Sequence, residues 1–224
     1  MQLTRFGHAA VLVDAADSRI LLDPGNFSAD DTFELTGLEA IIVTHQHADH
    51  VDHERLPQLV AGNPGARLLA EEETAAQLND VAGTWEVLSP GDEVFLGGVL
   101  VTGVGGRHAV IHQDLPRVGN VGALVRADGE PVFFHPGDTY EYAPDDVDVL
   151  GVPLGAPWAK VGEMVDFVRD VSPSVVFPIH DRTIADVAYG MYWARAAEMG
   201  GANLPTGVTL DARKLGQHDS TTVR

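Results

Sequence analysis

The chain has 224 residues, 45% of them hydrophobic, which suits one compact domain or two fused half-domains. It contains no cysteine, so disulfides, iron–sulfur clusters and thiolate zinc sites are excluded. A formal net charge of −19 disfavours binding to nucleic acid, although a pair of dications reverses such a field locally and leaves a small anionic substrate admissible.

The opening Met1-Gln2-Leu3-Thr4-Arg5-Phe6 lacks the basic-then-apolar layout of a secretory signal. No run approaches the roughly 20 apolar residues of a membrane span. The expectation is a cytoplasmic protein with a small-molecule substrate and no membrane partner. A homo-oligomer is compatible with the composition.

In chain order, Ala9 to Val13 and Ile20 to Leu22 read as strands, followed by the turn Asp23-Pro24-Gly25. Ala40 to Val43 is a strand that runs into a histidine cluster. Asp52 to Ala61 reads as a short helix, Arg67 to Ala70 as a strand and Glu71 to Asn79 as a helix. Trp85 to Leu88 and Val94 to Val104 are strands, the second broken at Gly97-Gly98. Ala123 to Val125 and Val132 to Phe134 flank the hairpin signal Asp128-Gly129. Val147 to Val152 is a buried strand, Gly162 to Asp170 a helix, and Ser174 to Ile179 a strand. Thr183 to Met199 is a terminal helix with Ile184, Val187, Ala188 and Met191 as its apolar face.

Sliding the chain by 112 residues matches Gly7, Leu12, Val13, Ala15, Pro24 and Gly25 to identical residues. The offset hints at a duplicated unit, with halves of about 1–110 and 111–224 in a single domain. Two similar sheets facing each other with helices outside make an α+β, four-layer αββα sandwich.

The segment Thr44-His45-Gln46-His47-Ala48-Asp49-His50 packs four metal-capable side chains into six residues. Burying three imidazoles and a carboxylate together is costly unless a metal satisfies them. His45 and His47, two apart in an extended loop, point the same way, whereas Asp49 and His50 face elsewhere as the chain turns. Two neighbouring ions, roughly 3.5–4 Å apart, suit this better than one. Three further candidates each closely follow a strand: His108 after Gly105-Gly106, Asp138 in His135-Pro136-Gly137-Asp138-Thr139, and His180 after Pro178-Ile179. His112 competes with His108, which is preferred because it directly follows the glycine turn.

The order of these motifs resembles the metallo-β-lactamase superfamily over most of the chain. Phe6-Gly7-His8-Ala9-Ala10, Asp23-Pro24 and Pro178-Ile179-His180 look like its UlaG-like branch, the ascorbate-phosphate lactonase relatives. The resemblance implies that His45, His47 and His108 hold one metal, Asp49, His50 and His180 a second, and Asp138 bridges both. Two divalent ions are expected, zinc first, with manganese and iron(II) as alternatives that the same ligands accept.

The reading is metal-assisted hydrolysis: a hydroxide held between two dications attacks a carbonyl carbon or phosphorus. Asp49 orients that nucleophile, and His112 or His135 supplies the leaving-group proton. The scissile bond is an ester, lactone or phosphoester of a small molecule. A phosphodiesterase or nuclease, and a metal-binding protein without turnover, are the rival readings. Among lesser candidates, His135 also reads as a support beside the metal ligands, and His8 approaches from beneath. Asp23 orders the ligand loop through a hydrogen bond, or merely begins a turn. Trp158 is a pocket wall or a packing residue. Asn120 and Arg117 are weaker candidates for substrate contact, and His53 and His218 read as surface residues.

Overall fold

A computed structural model describes residues 1–224. The first sheet contains β1 (Gln2–Gly7), β2 (Ala10–Ala15), β3 (Ser18–Leu22), β4 (Ala40–Val43), β5 (Arg67–Ala70) and β6 (Glu86–Val87). The second contains β7 (Glu93–Leu96), β8 (Val99–Gly105), β9 (Val121–Ala127), β10 (Phe133–His135), β11 (Val149–Pro153), β12 (Val175–Ile179) and β13 (Asp211–Ala212). The last strand, β14 (Ser220–Thr222), returns to pair with β1. Four helices complete the fold: α1 (Leu56–Gly62), α2 (Glu72–Leu78), α3 (Val161–Val171) and α4 (Asp186–Met199). None is long and apolar enough to cross a membrane.

The two sheets repeat each other strand for strand. In the first, β1, β2 and β3 are antiparallel and β3 to β6 run parallel. In the second, β8, β9 and β10 are antiparallel and β10 to β13 run parallel. The chain crosses between sheets after Val87 and before Glu93, well ahead of residue 110.

Period-2 alternation builds the layers. Val11, Val13, Ile20, Leu22 and Ile42 of the first sheet meet Val121, Val125, Phe133 and Phe177 of the second in one central cluster. Their neighbours Leu12, Leu21 and Ile41 point the other way, against Leu56 and Leu59 of α1 and Leu78 of α2. Leu124, Leu150 and Val176 likewise pack on Met164 and Val168 of α3 and Trp193 of α4. The result is helix, sheet, sheet, helix.

Three expectations need correction. The first strand is not the Ala9 to Val13 run but β1, which precedes it; Arg5 breaks its apolar pattern, because it is buried and pairs with Asp181 at 2.7 Å. Helix α1 starts at Leu56 rather than Asp52, whose carboxylate instead accepts from the backbone N–H of Glu54 and Arg55 in the turn before it. In α4 the expected apolar face is largely in solvent, with Val187 95% and Met191 62% exposed. The helix packs Tyr189, Tyr192, Trp193 and Ala196 instead, a stripe at helical spacing on the opposite side. Aromatic side chains bury more area than the aliphatic row they displace.

Strand direction brings the C-terminal ends of β1, β3, β4, β8, β10 and β12 to one rim. Backbone bonds join the sheets there: His180 N–H donates to His8 O at 3.0 Å and Val121 N–H to Thr44 O at 2.9 Å.

Candidate metal centre

Eight side chains converge at this rim in two groups. His45, His47, His108 and Asp138 form one, and His8, Asp49, His50 and His180 the other. Within each group the ligand atoms lie within 4.8 Å of one another. Asp138 faces both: its Oδ2 is 3.4 Å from His108 Nε2 and 3.1 Å from His180 Nε2, and its Oδ1 is 3.0 Å from His50 Nε2. Asp49 Oδ2 lies 3.2 Å from His180 Nε2 and 3.1 Å from His8 Nε2.

The surroundings fix which nitrogen of each ring faces the centre. His50 Nδ1 donates to Asp23 Oδ2 at 2.7 Å, His108 Nδ1 to Ala109 O at 2.7 Å, and His180 Nδ1 to Gly155 O at 2.8 Å. His45 Nδ1 lies 3.1 Å from Thr44 Oγ1, whose own proton goes to Asp23 Oδ2. Each Nε2 is thereby turned inward, as outer hydrogen bonds orient metal-binding histidines. His50 Nε2, His108 Nε2, His180 Nε2 and Asp138 Oδ1 are buried without a hydrogen bond of acceptable geometry. Nitrogen lone pairs that face carboxylate oxygens repel unless a cation sits between them. Neutral imidazoles with ionised carboxylates are the donor set that zinc, manganese or iron(II) accepts, so the residues fit a metal pair.

Charge at the site is strongly coupled. Burial would lower His50 and His180, but Asp138 outweighs it, holding His50 well above the ordinary imidazole value and pushing His180 up to about 9. Burial would raise Asp138, yet His180 and His50 hold its carboxyl well below the usual range. His180 and His8 do the same for Asp49. Burial holds His45 well below its ordinary value and lowers His8 to about 4. Both carboxylates stay ionised at neutral pH, facing a centre that favours positive charge.

Glycine shapes the ligand loop. A Cβ at Gly25 would run into the backbone of Asp49 and His50, so the Asp-Pro-Gly turn is wedged directly beneath the ligands. Asp23 carries more than the turn: it also accepts from Thr44 N at 2.8 Å. At Gly137, φ is +65° and a Cβ would strike Asn120.

The structure brings together all seven residues expected to be ligands and adds His8. His8, expected to approach from beneath, reaches the second group from the Gly7-His8 turn, where it adopts φ 51°. The other candidates divide. His135 is fully buried, with Nε2 on Ala9 O at 2.9 Å and Nδ1 accepting from Gly137 N–H at 3.2 Å. Both nitrogens are committed to backbone, so His135 is a brace between sheets and its one ring proton is held by Ala9 O. His112 is exposed and lines a small pocket with His47 and His108. Asn120 touches no cleft; it accepts from Asp138 N–H at 3.0 Å and donates to Pro136 O at 2.9 Å, holding the Asp138 turn. Arg117 donates to His108 O and Glu141, steadying that loop. Trp158 donates from Nε1 to Asp138 Oδ2 at 2.9 Å.

Comparison with known proteins agrees with this geometry. Residues 2–180 match the family model of the beta-lactamase superfamily domain. The chain belongs to that superfamily, with the metallo-β-lactamase fold. Protein Rv0786c of Mycobacterium tuberculosis is 45% identical over 201 residues, covering 89% of this chain and 92% of the relative. A UPF0173 metal-dependent hydrolase of Aeropyrum pernix is 30% identical over 220 residues, covering 84% and 85%. Igni18, a metallo hydrolase of Ignicoccus hospitalis, superposes with a TM-score of 0.73 at 21% identity, over 100% of this chain and 98% of that one. Within the superfamily the chain is a metal-dependent hydrolase.

Proposed function

We propose that the protein is a dinuclear hydrolase that cleaves an ester, lactone or phosphoester bond of a small molecule. In this reading His45, His47 and His108 would hold one divalent ion and Asp49, His50 and His180 the other, with Asp138 available to both. Zinc is the first candidate. The observation that carries it is the set of buried, unpartnered atoms on His50, His108, His180 and Asp138, turned toward one another. Such an ion pair would supply Lewis-acid polarisation and an acidified water.

The chain's own residues do the rest. Asp49, half-buried at the open side, aligns the attacking water, held in place by His8. The Trp158 indole N–H holds Asp138 Oδ2. His112, on the rim beside His47 and His108, delivers the leaving-group proton. The opening Gly7-His8-Ala9-Ala10 supports the UlaG-like reading, because the fold puts His8 in the second cluster. A metal-binding protein without turnover is the weaker alternative: His47 and Asp49 are only partly covered, and structural sites are usually closed.

Metal analysis of the purified protein, with a screen of lactones and bis-aryl phosphodiesters, tests this. Two tightly bound ions per chain and turnover of one class are expected, with both lost in Asp138→Ala. Fewer than one ion per chain at neutral pH, or an Asp138→Ala protein unchanged in metal and turnover, would overturn it.

A further inference from the structure

Ten large hydrophobic side chains are exposed on this acidic protein, and four stand close to the metal centre: Phe27, Val110, Ile111 and Leu115. Phe27 packs edge-on against His8 at 5.2 Å, and the other three lie on the loop that begins at His108. Beside that loop runs a groove of about 730 Å³. Val110 and Ile111 form one wall, and Tyr140, Trp158 and Phe167 line it with aromatic surface. The Tyr140 hydroxyl is spent on Pro153 O, so Tyr140 offers the groove its ring. Trp158 joins groove to centre: its indole N–H bonds Asp138, and its ring lies 6.0 Å from that of His108 and 6.3 Å from that of His180.

The groove's charges are one-sided. Glu141, Glu163, Asp166 and Asp170 line it, against the single cation Lys160, which is bonded to Glu163 at 2.6 Å. A phosphate lying here would meet carboxylates and no unpaired ammonium or guanidinium. An aliphatic or aromatic group would bury against Val110, Ile111 and Trp158.

We propose that this groove takes an apolar, uncharged arm of the substrate, which makes neutral carboxylic esters and lactones the preferred class over phosphoesters; the inference rests on the hydrolase reading above. In the reaction, the oxygen of water bonds to the acyl carbon, the carbon–oxygen bond to the alcohol breaks, and the leaving oxygen takes the proton.

Two measurements on the metal-loaded protein test the proposal. In the first, methyl signals of Val110 and Ile111 are followed by NMR during titration with 2-alkanones from butanone to nonanone, which have no hydrolysable bond. Local shifts and a dissociation constant that falls about twofold to fourfold per methylene are expected. The paired substitution Val110→Ser, Ile111→Ser should flatten that series. Absent shifts or a flat series in the unsubstituted protein overturns the proposal, whatever the turnover. In the second, kcat/KM is compared for p-nitrophenyl acetate, butyrate and octanoate and for bis-p-nitrophenyl phosphate. A rise with acyl length, and a phosphodiester value below that of the octanoate, support it; a phosphodiester above the octanoate overturns it. Ketone binding without turnover of any ester, by protein that retains two metals, supports the groove and overturns the hydrolase reading.

Discussion

Substituting Asp23→Asn changes one atom in a carboxylate that touches no substrate. Asp23 is fully buried and accepts three bonds: Thr44 N–H and Thr44 O–H at 2.8 Å each, and His50 Nδ1–H at 2.7 Å. An amide offers one acceptor oxygen where the carboxylate offers two. Whichever way it is flipped, its NH2 faces at least one buried donor. The charge-assisted bond to His50 is worth about 1.5–3 kcal/mol, and a stranded donor costs about 1–3 kcal/mol more. The expected loss is therefore about 3–5 kcal/mol, or roughly 10 °C in Tm for a chain of this size. His50 also exchanges a charged acceptor for at best a neutral amide oxygen to keep its proton on Nδ1, so metal affinity should fall about 10- to 100-fold. Thermal unfolding of the metal-free protein isolates the first effect, and competition with a chromophoric chelator measures the second. A variant with unchanged Tm and zinc affinity within about twofold of the original would refute the view that Asp23 sets the direction of His50.

Gly25→Ala should lower stability by about 3 kcal/mol or more, because its Cβ meets the backbone of Asp49 and His50; a variant with full metal content and unchanged Tm would contradict the packing described. His112→Ala should reduce kcat about 100-fold or more while leaving two metals bound, and an unchanged kcat would remove His112 from proton delivery. Asp52 gives a pH signature. Burial raises its carboxyl, but Arg55 and the N–H groups of Arg55 and Glu54 outweigh this and hold it below its ordinary value. Its stabilisation is therefore full above about pH 4 and is lost as pH falls through the lower folded-state value. Melts of Asp52→Asn should lie below those of the original protein at pH 7 and converge with them in acid; a constant gap would rule out the linkage.

The candidate ligand set was legible because its chemistry is local. His45 to His50 sit on one loop, and His108, Asp138 and His180 each follow a strand that apolar residues announce. The strands were legible for the same reason: the apolar runs of β2 to β4 and β9 to β12 are nearly unbroken. What stayed hidden depended on distant partners. His8 could be placed beneath the centre, but its seat beside Asp49 and His180 exists only when β1 meets the start of the His180 loop. Arg5 interrupts the apolar pattern of β1, and the partner that lets it be buried, Asp181, lies far along the chain. His135 looks chemically available from its neighbours, but the Ala9 carbonyl across the sheet interface consumes it. The face of α4 was misjudged because aliphatic and aromatic stripes compete, and only the shape of the neighbouring sheet decides between them.

The stitched rim has a bearing on how the molecule comes into being. Each group of potential ligands draws on both ends of the chain: His45 and His47 await His108 and Asp138, and His8, Asp49 and His50 await His180. During synthesis the growing polypeptide holds two of the four residues of the first group and three of the four of the second until the second sheet has emerged and closed. Capture of metal is thereby tied to completion of the fold, and a chain released short of His180 would lack a ligand of the second group.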